Sequence, residues 1–197
     1  MESIRSSPPQ GRGYLGSAFR LTLDLIDRKG WRSAIRAEAP PATAELMDKP
    51  PGPLSWIPAE RLEDLEELVA RHGGREAAFE LGLTAARNLG GSIVKPVIKL
   101  ALILFGATPD SLFGNLDRLY SLATRGLHFV WRDAERKSGV IEVEFEGGGV
   151  RESLFDVTRG NLQYALEICG TTGAVGVPEV LRHDENGALV RFVARWS

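Results

Sequence analysis

Apolar positions recur at helical spacing over the first two thirds of the chain, and the period changes after Gly126. Ala18, Leu21, Leu25 and Ile26 mark a first helix with Gly30 as its stop. A short helix through Trp31, Ala34 and Ile35 follows, then another over 42–48 that Pro41 can open. The clearest amphipathic helix starts after Pro58. Leu62, Leu65, Leu68 and Val69 form its stripe, while Glu60, Glu63, Asp64, Glu66 and Glu67 are expected to face water. Gly73-Gly74 ends it, and a further helix runs from Arg75 to about Leu89 with Ala78, Phe79, Leu81 and Ala85 inward.

The most apolar stretch is 93–105, whose only charges are Lys95 and Lys99; it reads as a buried core helix, as the wall of a hydrophobic pocket or as an interfacial patch. Another helix is expected from Pro109, carrying Leu112, Phe113, Leu116, Leu119, Tyr120 and Leu122, and closed by Gly126. Beyond it the period is two: Leu127, Phe129 and Trp131 alternate with His128, Val130 and Arg132, and Ile141, Val143 and Phe145 share one face. Residues 133–139 read as the hairpin loop between. A last helix carries Leu162, Ala165, Leu166 and Cys169, with Thr158 as a cap and Gly170 as a stop. Strands over 175–181 and 188–196 follow, joined at Asn186-Gly187, a hairpin signal. The fold class expected is α+β: a helical N-terminal two thirds packed on a C-terminal antiparallel sheet in the order β-β-α-β-β. Residues 1–13 are expected to be a flexible lead, and 14–197 one domain.

Composition narrows the function classes. The chain has 197 residues, 43% hydrophobic and 25% charged, enough to bury a core. A net charge of -2 argues against a dedicated nucleic-acid binder. A single cysteine supplies neither an internal disulfide nor a zinc-finger ligand set. No apolar run reaches the ~18 residues of a membrane span and no signal peptide is recognised, so a cytoplasmic protein is expected.

Catalytic and metal candidates are sparse. Gly11-Arg12-Gly13-Tyr14-Leu15-Gly16 matches the dinucleotide fingerprint letter for letter, but a Ser/Pro-rich lead precedes it where a strand is needed. His72, His128 and His183 fall in separate segments. Cys169 reads as a small buried hydrophobe. The acids at 60–67 and 142–146 look hydrated. No catalytic residue, metal site or cofactor is assigned.

Three stretches together resemble a known family. They are Gly16-Ser17-Ala18-Phe19 with Trp56-Ile57-Pro58; Phe113 to Tyr120 leading to Thr124-Arg125-Gly126; and Thr158 to Gly170 with the closing Arg191–Trp196. Over about residues 14–196 the chain is similar to an uncharacterised bacterial family of about this length, related to the 4-vinyl reductase (4VR) domain and the haem-NO-binding domain. The resemblance implies a helical half packed on an antiparallel sheet, a small hydrophobic molecule, haem or acyl chain held between them, and dimerisation. This chain lacks the clustered cysteines of zinc-binding 4VR domains. Tyr120 to Arg125 lacks the spacing of the haem-NO-binding Tyr-x-Ser-x-Arg motif, and no histidine stands in a helix before it. Haem and zinc are therefore not carried over.

The function expected is a non-catalytic ligand-binding or regulatory module. Its pocket, between helices and sheet, would be lined by Phe79, Leu83, Val97, Leu100, Leu104, Leu116, Tyr120, Phe129 and Trp131, with Lys95 or Lys99 at the mouth for an anionic head group. The alternative is a homodimerising or partner-binding module that uses the same apolar surface.

Overall fold

A computed structural model of the protein describes residues 11–89, 108–135 and 137–197. Val97, Leu100, Leu104, Lys95 and Lys99 lie outside these residues, as does the whole stretch 93–105. The element order is β1 (Gly13–Leu15), α1 (Gly16–Arg28), α2 (Arg32–Glu38), α3 (Pro41–Asp48), β2 (Trp56–Pro58), α4 (Ala59–Leu89), α5 (Pro109–Gly114), α6 (Leu116–Tyr120), β3 (Thr124–Arg125), β4 (Leu127–Glu135), β5 (Ser138–Glu146), α7 (Ser153–Ile168), β6 (Gly173–Val175), β7 (Glu179–Asp184) and β8 (Gly187–Trp196). The α+β class and the helical-then-sheet order hold.

The alternating residues of 127–131 and 141–145 form the inner face of an antiparallel sheet. Among the described residues it has the order β4-β5-β8-β6, with β7 also paired to β8. Register stacks the apolar positions. Leu127 faces Phe145, Phe129 faces Val143 and Trp131 faces Ile141, and Ile141, Val143 and Phe145 in turn face Phe192, Val190 and Ala188. On the other face Glu142 lies between Arg191 at 2.9 Å and Arg132 at 3.3 Å. Those guanidiniums, Arg191 first, hold its carboxyl below the ordinary range.

Several boundaries differ from the expectation. The hairpin after Glu135 is tighter, because Ser138 and Gly139 already pair with β4. The region 175–184 is broken by Pro178, so β6 and β7 are separate strands, and His183 lies in β7 rather than in a loop. The expected helix after Pro109 divides at Asn115 into α5 and α6. α7 begins at Ser153, which places Thr158 inside the helix rather than at its cap. Structure also begins before Tyr14. Gly13 opens β1, the middle strand of a small sheet ordered β2-β1-β3, and Arg12 ion-pairs with Glu63 at 2.8 Å where both side chains are buried.

α4 kinks at Gly74, whose φ of 73° ends one helix and starts the next. Among the described residues α4 makes its most extensive helix–helix contact against α7. The approach is backbone to backbone. A Cβ on Gly82 would stand 1.9 Å from the Val157 carbonyl oxygen, and one on Gly160 would stand 2.1 Å from the Phe79 carbonyl oxygen. Only glycine permits this separation.

Gly82→Ala and Gly160→Ala should each destabilise the protein by about 2–3 kcal/mol, because overpacking outweighs the ~1 kcal/mol that alanine gains in helix propensity. Urea denaturation measures this, and a neutral or stabilising result would contradict the contact.

Candidate functional site

A cavity of about 160 Å³ lies among the helices. β1 contributes Tyr14, α1 contributes Ala18 and Thr22, and α4 contributes Leu62, Glu66 and Ala86 to its wall. Opposite stand Leu112 of α5, Leu116 and Tyr120 of α6, and Val157, Asn161 and Ala165 of α7. Leu127 is the lining residue drawn from the larger sheet. Among the described residues most of the wall is helical, with Tyr14 and Leu15 of β1, Thr124 of β3 and Leu127 of β4 beside it. Ala85, Tyr164 and Ile168 are half-buried and form its more open side.

The structure brings two of the expected pocket residues, Leu116 and Tyr120, to this wall. Phe79 lies elsewhere, beneath the Arg159 guanidinium at 4.7 Å from the ring centroid. Leu83 sits at the α4–α7 crossing, its backbone nitrogen 2.6 Å from where a Gly160 Cβ would be. Phe129 packs against Tyr120 at 4.3 Å between centroids, and Trp131 stacks on Phe113 at 5.0 Å. Phe129 belongs to the core and Trp131 packs against it, and none of the four is among the described residues that line the cavity.

The acids of α4 overturn the expectation of a hydrated face. Glu63, Asp64 and Glu66 are all buried. Arg12 grips Glu63 with two hydrogen bonds, of 2.8 and 3.0 Å. Thr43 donates to Asp64 at 2.8 Å and Arg151 donates to it at 3.2 Å. Glu66, 4% exposed, has no such cation, and its Oε2 has no hydrogen-bond partner. Burial, reinforced by the nearby Glu63 carboxylate, pushes its carboxyl well above the ordinary range. The Glu66 carboxyl therefore keeps its proton where an exposed glutamate would lose it.

Two further polar atoms on the same wall are without partners: the Tyr14 hydroxyl and Asn161 Oδ1. Burial, with the Glu63 and Glu66 carboxyls nearby, raises the Tyr14 phenol well above its ordinary value. Tyr120 is raised by burial alone. Buried polar groups are normally satisfied, so three unpartnered atoms among the residues of one wall are unusual.

The remaining candidates carry no chemistry. The backbone N–H groups that a phosphate would need at the start of α1 are occupied: Gly16 donates to Ser55 at 2.7 Å and Ser17 to Pro53 at 3.0 Å. His72 pairs with Glu38 at 3.0 Å, His128 with Glu146 at 2.9 Å, and His183 with the Val150 carbonyl at 3.0 Å. Cys169 is half-buried at the end of α7, and desolvation raises its thiol, which disfavours the thiolate. No group of three His, Cys, Asp or Glu side chains placed to hold a metal occurs among the described residues. No helix among them is long and apolar enough to cross a membrane.

Comparison with solved structures gives the architecture a relative. A mutant of the unliganded Fe(II) H-NOX protein from K. algicida superposes with a TM-score of 0.65 at 12% identity, covering 93% of this chain and 96% of that one. The unmutated K. algicida protein gives 0.61 at 14%, with 93% and 96% covered. An oxygen-binding H-NOX domain related to soluble guanylate cyclases gives 0.55 at 12%, with 92% and 94% covered. The chain has the H-NOX fold. No protein-family model matches the sequence, and no curated protein matches it.

Haem is the group this fold implies, being named for the H-NOX family itself. The donor chemistry of the cavity does not fit it. All three histidines of the chain lie off the wall, each with its own partner. All three tyrosines line the cavity, but burial of Tyr14 and Tyr120 opposes the phenolate that would ligate iron.

Glu66→Gln should remove a pH dependence of stability. Unfolded wild type releases a proton that the folded protein retains. Wild-type stability should therefore fall relative to the variant as pH rises above the ordinary glutamate value of 4.5. The slope is at most about 1.4 kcal/mol per pH unit, and the difference is constant below that range. Urea denaturation of both proteins from acid to neutral pH checks this; parallel curves would contradict a buried, protonated Glu66.

Proposed function

We propose that this protein is a non-catalytic, small-molecule-binding regulatory module that uses the H-NOX fold without a histidine-held haem, its ligand occupying the cavity between α1, α4, α6 and α7. The observation that carries this reading is the apolar cavity of about 160 Å³ among the helices. The neighbours support a sensory role by analogy, since one of them is an oxygen-binding domain related to soluble guanylate cyclases.

The size favours a compact ligand over an acyl chain. A cavity of about 160 Å³ matches the ~150 Å³ apolar cavity that takes up benzene.

A second reading, a self-associating module, rests on Val177, Val180 and Leu181, which are exposed in and beside β7. Sedimentation velocity distinguishes the two: a tight dimer indifferent to small aromatics favours the second.

For the ligand-binding reading, toluene near ten times its dissociation constant should raise Tm by about 3–6 °C, following mass action and the usual size scaling. Ala85→Phe, which places a ring at the half-buried side of the cavity, should abolish the shift. No shift in wild type, or the same shift in the variant, would overturn this reading.

A further inference from the structure

The Tyr14 hydroxyl, Glu66 Oε2 and Asn161 Oδ1 are enclosed too tightly for a guest to touch them. The remaining hydroxyls of the wall differ in what they have left to offer. Thr22 donates to the Ala18 carbonyl at 3.2 Å and Thr124 to the Tyr120 carbonyl at 3.0 Å, so both of those protons are engaged. Ser17 sits in the first turn of α1 and Tyr164 on the more open side of the cavity, both half-buried and within reach of bulk water. Thr158 is buried inside α7.

Tyr120 is both fixed and desolvated. Its ring packs against Phe129 at 4.3 Å between centroids. Its hydroxyl has no hydrogen-bond partner among the described residues, and it is not one of the closed atoms. Burial alone raises the phenol, so the O–H keeps its proton. A hydrocarbon guest would leave that donor unused. A phenol donates well and accepts poorly, because the ring draws on the oxygen lone pair, so the matching polar atom on a guest is an acceptor.

Charge narrows the class further. The described residues of the wall include no Lys, Arg or His, so an anion would be buried without a counter-charge. A cation would need an ionised Glu66, which burial opposes. Leu62, Leu112, Leu116 and Val157 suit a ring or a short branched chain.

Taking the pocket reading above as its basis, we infer that the cavity takes a compact neutral compound bearing a hydrogen-bond acceptor (a carbonyl, nitrile or ether) and that the Tyr120 hydroxyl donates to it.

The test is calorimetric titration of the full chain, as wild type and as Tyr120→Phe, with toluene and benzonitrile, two rings of similar size that differ by an acceptor. Tyr120→Phe should weaken benzonitrile about ten-fold, the equivalent of one net hydrogen bond, and leave toluene within about two-fold. Thr158→Val should leave both compounds within about two-fold. The infrared stretch of bound benzonitrile should lie at the frequency of a hydrogen-bonded nitrile in wild type and move to that of a nitrile in hydrocarbon in Tyr120→Phe, a change that a purely structural role for Tyr120 would not produce. Circular dichroism checks that each variant is folded, and the wild-type stretch decides by itself if Tyr120→Phe is not. Equal weakening of both compounds by Tyr120→Phe, or weakening of neither, overturns the donor and leaves the pocket reading standing. Weakening of benzonitrile by Thr158→Val alone overturns the assignment to Tyr120. Toluene bound with benzonitrile refused overturns the acceptor class. Failure of both compounds to bind wild type overturns the pocket reading and this inference together.

Discussion

The close approach of α4 and α7 is the constraint on which the rest of the structure depends. Gly82 and Gly160 let the two backbones meet at a distance that any Cβ would prevent. That contact fixes the helix carrying Glu66 and Ala86 against the helix carrying Asn161 and Ala165. Small residues then continue along both helices past the crossing, at Ala85, Ala86 and Ala165, and Ala18 and Ala123 face them. At the crossing, lack of bulk brings the helices together. Beyond it these small residues line the cavity.

Electrostatics supplies the second element. The long helix carries three buried acids between Glu63 and Glu66, and α7 carries a fourth, Asp156. Arg12, Arg151 and Arg75 pair with Glu63, Asp64 and Asp156 respectively, drawing the segment before β1 and the loop before α7 onto α4. Buried carboxylates are tolerated only with such partners. Glu66, lacking one, stays neutral, and so the cavity receives a polar but uncharged corner. The division of labour among chemically identical side chains is set by which of them a distant arginine can reach.

Much of this fold was legible in the sequence. The stripe Leu62, Leu65, Leu68 and Val69 is buried where its spacing put it, Gly73-Gly74 marks the kink, and the alternating residues of β4 and β5 face inward. Strands as short as Gly13–Leu15 and Trp56–Pro58 carry no period to detect. The burial of Glu63, Asp64 and Glu66 was invisible for a different reason. A charged helix face gives no sign that arginines 51 and 87 positions away will cover it. Large aromatics such as Phe79 and Trp131 do not mark the described wall of the cavity. Bulk fills space, and a cavity forms where bulk is missing; the useful signal was the run of glycine and alanine at 82, 85 and 86 against 160 and 165.

The likeness to H-NOX structures is one of architecture at 11–14% identity. Where a histidine-held iron needs an imidazole, this wall offers phenols, an amide and a protonated carboxyl. A chamber that accepts a guest must exist before the guest arrives. The most direct measurement is therefore a crystal structure under xenon pressure. A xenon peak enclosed by Leu62, Leu116, Val157 and Ala165, with Gly82 and Gly160 still in backbone contact, is the predicted result. A wall collapsed onto itself, with those side chains touching and no xenon between them, would contradict the account.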